Sequence, residues 1–175
     1  MRYTLLVAAL AATTAAATPA FAQAVTDTAQ ATARGVVLQQ HSLINNGALD
    51  FGIVTVDPAT SGTVVIDSSA AGTRSATGGV TLLPSPSQAA RFDGLAAPNE
   101  TVALTLTPPV GNVLQDASAT NTITVNSMSV DAAGLTRTAD SNGNFTVYVG
   151  GDFGLAANQA SGVYSGTFTL TAEYQ

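Results

Sequence analysis

Residue types that carry chemistry are scarce in this chain. Its 175 residues include no cysteine, lysine or tryptophan and a single histidine, His41. Without cysteine there is no disulfide framework, so stability must come from a hydrophobic core and backbone hydrogen bonds. Cysteine nucleophiles, lysine Schiff bases and histidine-rich metal sites are also excluded. His41 is expected to be a surface imidazole, and no Gly-x-Ser-x-Gly motif supports a serine triad around it. The sequence predicts no enzyme, catalytic residue or cofactor.

Charge is low and acidic. Only 9% of residues are charged, with five arginines against eleven aspartates and glutamates. This balance argues against nucleic acid or an anionic membrane surface as partner. The acids are scattered singly along the chain, so we interpret them as solubilising groups.

Two carboxylates, Asp50 and Asp152, are candidates for the acid pair of a glycoside hydrolase, but each has a local explanation. Asp50 precedes Phe51-Gly52, where it can accept hydrogen bonds from backbone amides at the entry to a strand. Asp152 follows Gly150-Gly151 and is interpreted as a turn residue in a loop. Neither is predicted to be catalytic.

A calcium site was considered between residues 131 and 144. Asp140, Asn142 and Asn144 place oxygen atoms at alternate positions of a glycine-containing loop, as at the start of a calcium-binding loop. Gly151 stands where the closing glutamate would be needed. We therefore predict a hairpin loop and no metal site.

Residues 1–22 have the pattern of a secretory signal peptide. Arg2 is followed by the apolar run Leu5–Ala12, and Ala20-Phe21-Ala22 is a small-x-small cleavage site. The apolar run is shorter than the ~20 residues that a membrane-spanning helix needs, and no other stretch approaches that length. The mature chain is expected to begin at Gln23 and to have about 153 residues, enough for one domain.

The mature chain predicts an all-β fold. Thr, Val, Ala, Ser and Gly are abundant, and short apolar runs alternate with turn signals. We expect a single antiparallel immunoglobulin-like β-sandwich of about eight or nine strands over residues 39–175, preceded by an extension at 23–38. The candidate strands are 36–44, 49–56, 63–67, 79–83, 90–95, 101–107, 121–130, 144–149 and 163–174.

The clearest strand is predicted at the C-terminal end, over Gly162–Tyr174. From Tyr164 onward, apolar and polar residues alternate with a period of two, and neither Pro nor Lys protects the edge against pairing. Such an edge is either covered within the fold or pairs with a partner. The residues predicted for this assembly strand are Gly162, Tyr164, Gly166, Phe168, Leu170, Ala172 and Tyr174.

A second informative stretch is the mature N-terminus. Small apolar residues occupy every second position, with an interruption at Asp27. This narrow apolar face suits a strand that adds to an open edge of another subunit. The first strand of the same sandwich, or a disordered tail, are the alternatives. The candidate donor residues are Val25, Ala29, Ala31, Ala33, Gly35 and Val37.

The C-terminal stretch and three motifs along the chain carry a family resemblance. Tyr174 in the penultimate position, with Gly162 fourteenth from the end, resembles the C-terminal motif of chaperone–usher subunits. The motifs Leu49–Val54, Thr77–Leu82 and Ala157–Phe168 resemble the DUF4402 family of secreted bacterial proteins related to pilin-type adhesin domains, over about residues 29–175. The resemblance covers nearly the whole mature chain, and its motifs are strand and turn patterns that indicate fold and assembly class.

The resemblance implies a fimbrial subunit at the cell surface that serves adhesion or biofilm formation. Its partners would be copies of itself or related subunits, a periplasmic chaperone and an outer-membrane usher. Unlike many such pilins, this chain lacks a disulfide. The alternative function is a monomeric secreted module that binds a carbohydrate or protein, although no tryptophan offers an aromatic sugar platform.

Overall fold

A computed structural model describes residues 28–175 of the chain. The predicted signal peptide, Val25 and Asp27 lie outside these residues. Residues 37–175 form one compact unit. Its thirteen strands are β1 Ser42–Gly47, β2 Val54–Val56, β3 Gly62–Ile66, β4 Arg74–Gly78, β5 Val80–Leu82, β6 Ala90–Leu95, β7 Thr101–Thr107, β8 Val113–Asp116, β9 Thr122–Val130, β10 Thr136–Thr138, β11 Asn144–Leu155, β12 Tyr164–Ser165 and β13 Thr169–Tyr174.

The larger layer is an antiparallel sheet built around β11. Its strand order is β1-β6-β11-β9-β8-β12. β11 pairs with β6 along its first half and with β3 along its second half, while β9 lies on its other side. β4 then pairs with β3. The long strand β11 therefore runs through both halves of the sheet, the half next to β6 and the half next to β3.

The second layer is divided into two smaller sheets. The strands β10-β7-β13 form one, and β2-β5 form the other. The three-stranded sheet packs on the β6 half of the large sheet around a first cluster of buried residues, which includes Phe92, Val102, Leu104, Val147 and Leu170. The second cluster of buried residues lies on the β3 half of the large sheet and includes Val64, Ile66, Val80, Leu114, Ile123, Val125, Phe153 and Leu155. In the described part of the second layer, the short strands that pack on this second cluster are β2 and β5.

The all-β antiparallel sandwich predicted from the sequence is confirmed, with thirteen strands rather than eight or nine. β6 and β7 have the predicted bounds. The strands β4, β8 and β10 were missed because they are short and their sequences alternate weakly. Asn45-Asn46-Gly47, whose residue types are typical of a turn, ends β1 with a β-bulge. Within residues 28–175, no helix is long and apolar enough to cross a membrane.

The Gly150-Gly151 pair was predicted as a loop, and this prediction is wrong. Both glycines are buried inside β11, which continues to Leu155. A Cβ at position 150 would lie 2.3 Å from the carbonyl oxygen of Ile66, at the point where the neighbour of β11 changes from β6 to β3. Glycine is needed here because the backbone of another strand passes too close for a side chain.

Candidate functional site

A long apolar groove opens over the second cluster of buried residues. Its volume is about 820 Å³. One wall is the segment 48–56, which contains β2, and the other is the segment 159–168, which contains β12. The floor consists of side chains from the large sheet, namely Leu114, Ile123, Met128, Phe153 and Leu155. We call this feature the strand groove.

The β2 wall presents an unpaired strand edge. The carbonyl of Ile53 accepts a hydrogen bond from the amide of Leu83, and the amide of Asp57 donates to the carbonyl of Gly79. Because bonded pairs alternate along an antiparallel ladder, the backbone groups of Val54 and Val56 point away from β5. No other described strand pairs with β2. Its outer edge is therefore free to accept a further strand.

The opposite wall also ends in an open edge. β12 pairs with β8 through Tyr164 opposite Asp116 and Ser165 opposite Gln115. It is the last strand of the large sheet among the described residues. The Tyr164 hydroxyl donates to the carbonyl of Ala160 and accepts from the side-chain amide of Gln159, which fixes the loop above the groove.

The strand that supports this wall is held by an aspartate-centred turn. The Asp116 carboxylate accepts hydrogen bonds from the Asn121 side-chain amide and from the Ser118 hydroxyl, as well as from backbone amides of the same turn. The hydrogen bond from the Asn121 side chain is the largest of the effects that lower the pKa of Asp116 to about 2. The ionised carboxylate thus closes the β8–β9 hairpin that carries β12.

The floor is apolar and firmly packed. Phe153 is only 2% exposed and Ile123 is equally buried. The ring of Phe51, from the β2 wall, packs on that of Phe153 with their centroids 5.2 Å apart. An inserted strand with small apolar side chains would bury its inward face against this floor.

The predicted C-terminal assembly strand is divided between two sheets. The predicted alternation is observed, since Tyr164, Phe168, Leu170, Ala172 and Tyr174 are buried or half-buried and their neighbours are exposed. The strand is nevertheless interrupted at residues 166–168, where the chain passes from β12 to β13. The prediction of a single continuous strand over Gly162–Tyr174 is therefore wrong.

Four of the seven residues predicted for the assembly strand line the groove, and three do not. Those that line it are Gly162, Tyr164, Gly166 and Phe168. Leu170 and Ala172 belong to the first cluster instead. The Tyr174 hydroxyl accepts from the amide of Ala97 and donates to the carbonyl of Gln39. β13 is an edge strand of the three-stranded sheet, with β7 as its partner.

The predicted donor residues that the structure describes are not in a strand. Residues 28–41 have no regular secondary structure, and Ala29, Ala31, Ala33, Gly35 and Val37 are exposed. The predicted strand at 36–44 begins only at Ser42. In the described part of the chain, the interpretation of this segment as the first strand of its own sandwich therefore finds no support.

The acidic candidates occupy structural positions. Asp50 accepts a hydrogen bond from the amide of Gly52 at 2.7 Å, as predicted. Asp152 lies within β11 and accepts from the Asn126 side chain, so its assignment to a turn was wrong. Asp140 accepts from the backbone amides of Asn144 and Asn142, which lowers its pKa and closes the loop before β11. This loop joins β10 of the three-stranded sheet to β11 of the large sheet, and the two strands do not pair, so the predicted hairpin is wrong.

Two further observations bear on a ligand or metal site. His41 lies edge-on to the ring of Tyr174, with the centroids 5.4 Å apart. Within residues 28–175, no three His, Cys, Asp or Glu side chains come together as a possible metal site.

Sequence reasoning missed the β2 wall and its support. The segment 49–56 was predicted as a strand, and its first residues as a family motif, but nothing in it indicates that it faces residues 159–168, more than a hundred positions later in the chain. Arg74, which binds this wall, was not singled out. A possible signal was its charge, since arginine is rare in this chain.

Comparisons with known proteins identify one family. The family model described as "Domain of unknown function (DUF4402)" matches residues 42–174. The match extends from the first residue of β1 to the last residue of β13. Searches of curated proteins and of solved structures found no match.

Proposed function

The chain belongs to the DUF4402 family, and from this premise we propose that it is a structural subunit of a secreted, pilus-like surface fibre. Subunits would join by strand addition, each inserting an extended segment into the strand groove of its neighbour. The fibre would serve adhesion or biofilm formation. The proposal assigns the protein no catalytic activity and no cofactor.

The strand groove is the observation that carries this proposal. Two strand edges, on β2 and β12, have no partner among residues 28–175, and they flank an apolar floor. An inserted strand would form backbone hydrogen bonds worth about 0.5–1.5 kcal/mol each. Its inward side chains would add about 0.8 kcal/mol for each methyl or methylene group that they bury. Several such contacts along one strand give a long-lived joint between subunits.

The proposed donor is the segment 23–37 of a neighbouring subunit. Its inward parity would consist of Val25, Ala29, Ala31, Ala33, Gly35 and Val37. Small side chains suit a strand that must slide between two existing walls. The described part of the segment is exposed and without regular structure, as a donor awaiting a partner would be.

The proposed route follows from the signal peptide and the family resemblance. The chain would be exported through the inner membrane and reach the cell surface from the periplasm. A periplasmic chaperone would occupy the groove first, and an outer-membrane usher would exchange it for the donor segment. Other copies of this chain or related subunits would be the lasting partners.

The first test is light scattering after size exclusion, on residues 23–175 and on the same chain without residues 23–34. We expect heat- and detergent-resistant oligomers that disappear on truncation. A compact monomer in the longer sample, destabilised by the truncation, would refute donation between subunits.

A pair of exposed valines supplies a matched control. Val163 lines the groove and is 86% exposed, whereas Val110 is 95% exposed and is not part of the groove lining. Val163→Asp places a charge where an apolar strand must enter, so assembly should weaken, while Val110→Asp should leave it unchanged. Equal assembly by both variants would mean that the groove is not the joint.

A second candidate is a monomeric binding module that holds a ligand in the same groove. A volume of about 820 Å³ lies within the range of small-molecule sites. In that case the chain would remain monomeric in the scattering experiment, and Val163→Asp would reduce ligand binding instead of assembly.

A further inference from the structure

We propose that Arg74 is a positioning residue that keeps the β2 wall of the strand groove in its receiving shape before a partner strand arrives. This inference rests on the proposed strand addition and identifies what prepares the site for it. Arg74 lies at the start of β4, is half-buried and is not part of the groove lining.

The guanidinium of Arg74 donates hydrogen bonds to backbone carbonyl groups of the wall and of the residue that follows β5. One terminal nitrogen donates to the carbonyl of Phe51 at 2.9 Å and reaches the carbonyl of Ile53 at 3.3 Å. The other donates to the carbonyl of Leu83 at 2.7 Å. The wall and the strand paired with it are thus joined by one planar cation, an arrangement that suits arginine and not lysine.

Ser85 completes the arrangement. Its hydroxyl oxygen accepts from Arg74 at 3.1 Å and from the amide of Ile53 at 2.8 Å. Gly52 has a φ of +70°, and a Cβ there would lie 2.5 Å from both the Arg74 nitrogen and the Ser85 oxygen. The wall therefore folds tightly around these groups, and only glycine fits between them.

The wall depends on this support because its regular pairing is short. β2 has three residues and one partner, β5. A two-stranded ribbon of this kind is marginally stable by itself. With Arg74 in place, Phe51 stays on Phe153 and the outer edge of Val54–Val56 stays extended, so that an incoming strand meets a formed edge.

The test compares Arg74→Lys with Arg91→Lys in the mature chain without residues 23–34, which keeps the compact unit 37–175 and leaves no neighbouring donor segment to fill the groove. Arg91 is a matched control because, among residues 28–175, its ion pair is with Asp93 two positions along the same strand, and it is not part of the groove lining. Hydrogen exchange would be followed at the amides of Ile53 and Leu83. Uptake of a fluorescent peptide of residues 23–37 would be timed in the same samples.

In Arg74→Lys we expect faster exchange at Ile53 and Leu83, with unchanged exchange in the first cluster. If the wall is formed only about one tenth of the time, peptide uptake falls about tenfold. Arg91→Lys should match the wild type in both measurements. Uptake at the wild-type rate in Arg74→Lys would overturn the positioning role.

The two measurements separate this inference from the function on which it rests. If the wild type takes up no peptide and forms no oligomers, the proposed strand addition is refuted and the receiving role falls with it. The exchange rates then still decide whether Arg74 holds the wall. Unchanged exchange at Ile53 and Leu83 would refute that as well.

Discussion

The ion pair between Arg137 of β10 and Asp131, just after β9, is largely buried, and we expect its disruption to be costly. Side-chain exposure is 7% for Arg137 and 18% for Asp131. Arg137 also donates to the carbonyl oxygens of Gly134, Thr136 and Thr146. It is the one buried charged side chain among the described residues. Removal of its counter-ion leaves a positive charge in a largely dry site.

Asp131→Asn preserves the size of the side chain and removes its charge. Breaking one side of a buried pair costs about 3–5 kcal/mol. Because Arg137 keeps three carbonyl acceptors, we expect the low end, about 3 kcal/mol, in the free energy of unfolding. The Asp131 carboxylate also accepts from the amides of Ala133 and Tyr148. An asparagine oxygen can accept only part of this set, which supports a cost of this size.

The assay is urea unfolding at 25 °C, followed by far-ultraviolet circular dichroism, in a double-mutant cycle with Arg137→Met. The double variant should cost less than the sum of the two single variants, because neither charge is then left unpaired. Asp67→Asn is the control, since Asp67 is exposed. A cost below about 1 kcal/mol for Asp131→Asn, or strict additivity in the cycle, would refute the reasoning.

Three further predictions concern the cores and the pH range. Phe153→Ala should lower the free energy of unfolding by about 3–5 kcal/mol in urea titrations, through the cavity left in the groove floor. Tyr174→Phe removes two hydrogen bonds and should lower the free energy of unfolding by about 2 kcal/mol in the same assay. The near-ultraviolet circular dichroism of the folded variant should still show native packing. The folded-state pKa values of Asp93, Asp116 and Asp140 lie below the ordinary value of 3.8, so the stability that these groups contribute is complete above about pH 4. It should be lost as the pH falls towards 2, and acid titration of Asp116→Asn should show a shallower loss than the wild type.

The alternation of side chains was enough to predict the class of fold and much of the C-terminal end. From Tyr164 to Tyr174, the buried and exposed residues fall as a period of two requires, except at Gly166, which is exposed where the chain leaves β12. The same pattern cannot show that the strand leaves one sheet at Ser165 and enters another at Thr169. Parity is preserved across the crossing, so only the partners, β8 and then β7, reveal it.

Local rules failed where a distant backbone sets the requirement. Gly150-Gly151 is a turn signal in isolation, yet here the pair continues a strand, and Gly150 lets the end of β3 approach β11. The strand groove was inaccessible to sequence reasoning for a similar reason. Its walls are far apart in the chain, and an unpaired edge is a property of the assembled sheet. Arg74 resembles any strand arginine until the carbonyl groups around it are known.

The length of β11 bears on when this protein can fold. β11 supplies buried side chains to both clusters, Val147 and Val149 to one and Phe153 and Leu155 to the other. Its partners β3, β6 and β9 all precede it in the chain. Neither core can therefore close until residue 155 has emerged, and the pairing of distant strands makes folding slow. If the chain crosses a membrane during export, as we propose, it would remain extended through most of that passage and gain its structure only near the end.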